Sequence, residues 1–361
     1  MNANIIRQYR RIHNWENFFI DSAVYSVGQS AGIEYEDGFQ PVAAVTGDLF
    51  AYMYSSEKPC DSGMTNYFFL PEAIEKAYSL FGYECIYLSN HAIQEDIDAA
   101  LAQIRRSVDR GIPVFAWGCG GVEMEGGSRW DPLPEGCLIG GYDMDDGMIY
   151  VNLYPGEERL ARTSAGHRPG VDEYGYTAID AACALATTKG LFILGDKAAE
   201  PDMSEIYREV LFAIPQWLAM PAKDGYAFGE EAFERWALTL QNDEYWQDAQ
   251  MAEAHCWDMH CSAYCAICTS IGVGEGEGIA GYMLKLSSAL QDVPEAEAAL
   301  PLFMRLRTLN QAIWTYQGGF MPPFDRLAEH EYRAHIADLL HEMGKTCRQI
   351  LAVFSPGMIN L

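Results

Sequence analysis

Gly111-Ile-Pro-Val-Phe-Ala-Trp117, followed by Pro134-Glu-Gly-Cys-Leu-Ile-Gly-Gly-Tyr-Asp143, constrains this chain more than any other stretch. The two apolar runs predict buried strands bracketing a glycine-rich loop, with Glu135 and Cys137 at the mouth of the second strand. Asp143-Met-Asp-Asp-Gly147 leads into Met148-Ile-Tyr-Val-Asn-Leu153, and Asp-Gly between apolar runs signals a hairpin. Strands are therefore expected at 113–117, 136–141 and 148–153, with another at Leu191-Phe-Ile-Leu194 stopped by Gly195-Asp196.

Helices come before these strands. From Asn17, apolar residues at 20, 23, 24 and 27 have the spacing of a buried helical stripe, and a turn follows at Gly32. Pro41–Tyr54 is a second apolar segment, interrupted by Thr46-Gly-Asp48. Pro71 to Gly82 carries proline at its first turn and glycine past its end. Ile93–Arg110 sets Ile97, Ala100, Leu101, Ile104 and Val108 on one face and is capped by Gly111. Early helices and late antiparallel strands predict an α+β domain over residues 1–197.

The pattern changes at Pro201. Asp202-x-x-Glu205 has the form of a capping box opening a helix to about Met220. Helical periodicity then recurs at 229–241, 245–270, 279–290, 295–317 and 325–354 with no strand pattern after 197. Residues 198–361 are predicted to form an all-α helical bundle domain. Two domains also suit 361 residues, more than one core usually serves.

Asp and Glu outnumber Lys and Arg by 51 to 24, a formal charge of −27. That surplus argues against nucleic acid or an anionic membrane as partner, since both require a basic face. No basic-then-apolar leader opens the sequence and no run of ~18 apolar residues crosses it, so neither a signal peptide nor a membrane span is expected. Ten cysteines without a secretion signal predict free thiols in a reducing cytoplasm.

Asp21-Ser-Ala23, Val45-Thr-Gly-Asp-Leu-Phe50, Gly111-Ile-Pro-Val114 and Leu138-Ile-Gly-Gly-Tyr-Asp143 together resemble the peptidase C39-like group of papain-like folds. The nearest likeness is to the butirosin biosynthesis protein H N-terminal type, in which such a domain precedes a helical region. Gly229-x-x-Ala232-x-x-x-Trp236 is similar to that helical region. The resemblance implies a papain-like first domain, whose active members carry a Cys at the start of the first helix, a His at the start of the later strand and an Asp or Asn on the next. In that chemistry the imidazole deprotonates the thiol, and a helix N-terminus stabilises the thiolate.

Transferred to this chain, the nucleophile position falls at Phe18 or Phe19, and the imidazole position at about Cys137. Asn152 stands in the place of the orienting residue. Two of the three positions thus hold the wrong chemistry. Cys119, in Trp117-Gly-Cys-Gly-Gly121, and Cys60, in Pro59-Cys-Asp-Ser-Gly63, are alternative nucleophiles, with His91 and His167 as the histidines past the first helix. Glu135, Cys137, Asn152, Trp117 and Asp21 are the residues expected to line the cleft. Cys137, at the head of a buried strand, also suits a plain core role.

His255-Cys256-(x3)-His260-Cys261-(x3)-Cys265-(x2)-Cys268 is the densest group of soft ligands. On an α-helix Cys261, Cys265 and Cys268 share one face, as do Cys256 and His260. Three zinc ligands from one helix are awkward, however, and small thiols suit tight helix packing, so packing is the preferred reading. Gly272-Val-Gly-Glu-Gly-Glu-Gly278 lacks the Lys-Ser/Thr of a P-loop and carries two carboxylates, which makes it a helix connection. No cofactor is expected. The preferred function is a catalytically degenerate papain-like protein binding a small molecule or peptide in the old cleft. A divergent thiol hydrolase or acyltransferase, and an interaction protein dimerising through the helical domain, are the alternatives.

Overall fold

The computed structural model of the chain describes residues 2–10, 18–35, 38–50, 52–60, 63–69, 71–118, 122–124, 136–152, 161–163, 175–272 and 278–354. The protein is mixed α+β and divides into two compact units, Met1–Val42 with Phe69–Pro201, and Ala43–Phe68 with Asp202–Leu361. The sequence reading sets one boundary at 197/198. The units change at 201/202, and residues 43–68 also belong to the second.

The described strands, in chain order, are β1 (Ala3–Ile5), β2 (Met53–Tyr54), β3 (Tyr83–Ser89), β4 (Val114–Trp117), β5 (Val122–Met124), β6 (Cys137–Asp143), β7 (Met148–Asn152), β8 (Ala161–Thr163), β9 (Thr177–Asp180), β10 (Gly190–Lys197) and β11 (Ala227–Phe228). The helices up to β10 are α1 (Phe19–Ser30), α2 (Gln40–Thr46), α3 (Glu72–Leu80), α4 (Asn90–Glu95), α5 (Ile97–Asp109) and α6 (Ala181–Thr187).

The first unit is built on an antiparallel sheet of order β3-β10-β4-β6-β7-β9. β4 pairs with the start of β6, Val114 opposite Ile139, while β1 pairs with its end, Ile5 opposite Gly141. β6 and β7 form the hairpin that Asp-Gly signalled, with Asp143 opposite Met148. Gly136 sets the start of β6. Its φ is +116°, and a Cβ there would stand 2.1 Å from the Ala116 carbonyl oxygen, so any other residue would push β6 off β4.

Period-two alternation sorts the sheet's side chains. Val114, Ala116, Cys137, Ile139, Ile149, Val151, Leu191 and Ile193 form one core with Ala100, Ile104 and Val108 of α5. Each fully buried Ile, Leu or Val there contributes about 1.5–3 kcal/mol. The predicted helix over 93–110 is in fact two, because the Asp96 side chain accepts from the Ala99 amide and starts a new helix. β10 also runs past Gly195-Asp196 to Lys197, accommodating them by a register shift after Leu194.

The second unit holds α7 (Met203–Leu218), α8 (Gly229–Gln241), α9 (Ala249–Cys256), α10 (Ser262–Ile271), α11 (Gly278–Ala289), α12 (Pro294–Gln317), α13 (Phe324–Ala328) and α14 (His330–Phe354). Asp202 caps α7 through the amides of Ser204 and Glu205. Gly229, at φ +54°, lets α8 begin against the end of α7, since a Cβ would lie 2.0 Å from the Leu218 carbonyl oxygen. The expectation of no strand after 197 is corrected by β11, whose Ala227 and Phe228 pair with Tyr54 and Met53 of β2. Aromatic contacts hold residues 43–68 in this unit: Tyr54 stacks on Trp236 with centroids 5.8 Å apart, Tyr52 meets Phe233 at 5.6 Å, and Phe50 meets Phe303 at 6.1 Å. No described helix is long and apolar enough to cross a membrane.

Candidate functional site

Ten consecutive residues of α1, Phe19 to Gly28, are buried, so burial extends beyond the buried stripe that its apolar spacing predicted and takes in the whole helix up to its last turn. Among its buried polar side chains, Ser26 is bonded locally. Ser26 Oγ donates to the Ser22 carbonyl at 2.7 Å and accepts from Arg10 Nη1 at 3.1 Å. Asp21 is buried in the first turn, where a carboxylate complements the helix dipole.

The start of α1 is aromatic. Phe18, the N-cap residue, makes no side-chain cap and is fully buried. Phe19 meets Phe115 at 6.0 Å, Phe115 stacks on Phe192 at 5.6 Å, and Phe192 stacks on Tyr87 at 4.9 Å. This row crosses β4, β10 and β3 on the sheet face that α1 covers. A nucleophile at the head of α1 would have to emerge into it.

Cys137 does not face this row. It is fully buried with Ile139, Ala116 and the α5 side chains on the other side of the sheet. Asn152, opposite Leu138, has the reverse parity and lies on the same face as Phe115. The two residues expected to share a cleft are therefore on opposite faces, which removes Cys137 from any site built around α1. Asn152 is 7% exposed and its Nδ2 donates to the Gly175 carbonyl at 2.6 Å. Its Oδ1 has no hydrogen-bond partner among the described residues. Trp117 has the parity of Phe115, and the Lys189 ammonium lies 5.1 Å from its ring centroid. Glu135, Cys119 and His167 lie outside the described residues.

No described histidine is hydrogen-bonded to a cysteine. His91 is exposed beside Glu95, His330 bonds Asp243, His341 bonds Glu234, and His260 bonds Trp236 and Gln317. Cys60 is fully buried, with its thiol 3.6 Å from the Lys58 carbonyl. Burial pushes the Cys85 and Cys268 thiols up to about 12, away from the range of a reactive thiolate.

Cys261, Cys265 and Cys268 are all among the described residues. Among the described residues no group of three or more His, Cys, Asp or Glu side chains could hold an ion. The expected straight helix is broken here by a π turn, Trp257–Cys261, closed by the Ser262 amide on the Trp257 carbonyl. The turn carries His260 into the core, fully buried. Indole N–H can only donate, so His260 Nδ1 accepts from Trp236 Nε1 at 3.2 Å. The ring's proton is then on Nε2, 3.1 Å from Gln317 Oε1, which accepts it. Burial lowers the His260 pKa to about 4, against a smaller opposing effect of the Gln317 bond, so the ring is neutral. It is a satisfied core histidine, not an acid–base group open to substrate.

One described cavity has the size of a small-molecule site. It measures about 620 Å3 and lies in the first unit between the residues leading from β1 and the C-terminal end of α1. Arg10, Gln8, Gln29, Ser30, Glu34 and Tyr35 contribute to its largely polar lining. The Arg10 guanidinium sits 4.5 Å from the Tyr25 ring centroid, and Tyr25, Tyr35 and Phe81 pack edge-to-face behind it. Burial holds the Arg10 pKa below the usual guanidinium value, and the group stays charged near neutrality. None of the described residues expected in the cleft lines this cavity. The sequence signal for it was Arg7, Arg10 and Arg11 beside Tyr9, a basic cluster in a strongly acidic chain, which reads equally as a lead-in to α1. No protein-family model and no curated protein matches the chain, so its class rests on its own geometry, an α+β protein of two compact units.

Proposed function

We propose that the first unit is a catalytically degenerate papain-like domain of the C39 peptidase-like type, and that it binds a small polar molecule. The order of elements supports the fold reading: a buried helix bearing Asp21-Ser-Ala23 lies against an antiparallel sheet. That sheet carries Val114, Leu138–Asp143 and Asn152 on the successive neighbouring strands β4, β6 and β7. The observation that carries the functional reading is the aromatic row at the head of α1, with Cys137 on the far face of the sheet. Thiol catalysis needs a thiol and an imidazole within hydrogen-bond reach of each other. Here the first position is phenylalanine and the second faces α5.

Binding is assigned to the polar cavity at the other end of α1, where Arg10 offers a held cation and Gln8, Gln29 and Ser30 offer amides and a hydroxyl. Such a lining suits a small molecule bearing a carboxylate or several hydroxyls. Mass spectrometry of the chain under nondenaturing conditions is expected to show a noncovalent adduct of a few hundred daltons. Denaturation should release it, and Arg10→Met should abolish it. Catalytic turnover of an ester or thioester through a covalent acyl-cysteine would contradict the proposal.

A further inference from the structure

The π turn at Trp257–Cys261 does more than deliver His260. In an α-helix two residues five apart point roughly 140° away from each other, at about 100° per residue. The i→i+5 bond from Ser262 to Trp257 widens the turn and brings residue five onto the side of residue zero. Those two residues are Cys256, the last of α9, and Cys261, the last of the turn. Their sulfurs are 3.2 Å apart. A disulfide bond measures ~2.05 Å, so closure needs a movement of roughly 1 Å. Nothing in the packing of His260, which faces Trp236 and Gln317, requires two thiols at this contact.

We infer that Cys256 and Cys261 form a redox pair that closes to an intrahelical disulfide across the π turn when the chain meets a low-molecular-weight disulfide. Cys256, the one of the two with any surface, loses its proton and attacks one sulfur of the oxidant RSSR. A mixed disulfide forms and the first RSH leaves. Cys261 then loses its proton and attacks the Cys256 sulfur, releasing the second RSH. The protein gives up two hydrogens and two electrons, and RSSR becomes two RSH. Exchange is slow, because the hydrogen bond to Cys256, reinforced by burial, holds the Cys261 thiol protonated. Once made, the bond fixes the turn that positions His260.

The reduced full-length chain, equilibrated with glutathione and glutathione disulfide at pH 8, acid-quenched and alkylated, tests this. Proteolysis on the N-terminal side of Asp258 separates Cys256 from Cys261, Cys265 and Cys268. The two peptides are expected to stay linked until reduced. The link should persist in Cys265→Ser and Cys268→Ser and vanish in Cys261→Ser. Glutathionylation of exposed Cys183 shows that the oxidant is active. Recovery of alkylated, unlinked Cys256 from folded chain at every ratio that modifies Cys183 would overturn the inference. So would a link that survives Cys261→Ser, or one that forms only in urea.

Discussion

Arg333→Met is expected to lower the stability of the chain by on the order of 4 kcal/mol, the largest loss we anticipate from a single polar side chain. Arg333 is 1% exposed and stands near the start of α14. Its Nε donates to the Leu240 carbonyl and its Nη1 to the Leu327 carbonyl, both at 2.7 Å. Those carbonyls belong to the last turns of α8 and α13, where the helix has no partner of its own to offer. One guanidinium thus caps two helices and also bonds Asp243. Methionine fills the volume but strands both acceptors in the core. Arg333→Lys should be intermediate, because an ammonium cannot match the fork of donors. Asp243→Asn, at an exposed partner, should have the smallest effect of the three. Urea unfolding midpoints, compared at equal slope, check the order.

Acid should weaken the second unit through His260. In the folded chain the buried ring stays neutral down to about pH 4. In the unfolded chain it takes up a proton near its ordinary pKa of ~6.5. The unfolded state therefore binds more protons between these values. Stability is full above pH 6.5 and falls as pH drops toward 4, by roughly 3 kcal/mol over the window. His260→Gln keeps an acceptor for Trp236 and a donor for Gln317 but cannot titrate. The difference in unfolding free energy between the parent chain and this variant, measured from pH 7 to pH 4, should track that fall. A difference independent of pH would show that the ring is not held neutral.

Much of the fold was legible because local rules and tertiary packing agree. Pro71 and Gly82 bracket α3, Gly229 opens α8, and Asp143–Gly147 turns the β6–β7 hairpin, each a local signal with a local cause. What escaped was set at long range. Residues 43–68 join the second unit because Tyr52 and Tyr54 find Phe233 and Trp236, partners far away in the sequence. The π turn is invisible to a 3.6-residue period, so Cys256 was matched with His260 instead of Cys261.

The candidate site divides in the same way. Alternation along β6 does group Cys137 with Ile139. Which face α1 would cover is decided by the Phe19–Phe115 contact, and no period contains that information. The cavity at Arg10 is assembled from residues 8–10, from the segment around Gln29 to Tyr35 and from Gly111, positions that carry no shared motif.

The proposed loss of thiol catalysis means that no thiol should be activated by an imidazole, and among the described residues no histidine is hydrogen-bonded to a cysteine. Iodoacetamide labelling of the folded chain, followed cysteine by cysteine from pH 6 to pH 8, addresses it directly. Exposed Cys183 is expected to react fastest, no faster than free glutathione, with the buried thiols well behind. Stoichiometric labelling of Cys119 or Cys60 that outpaces glutathione at pH 6, and is lost in His167→Ala, would contradict it.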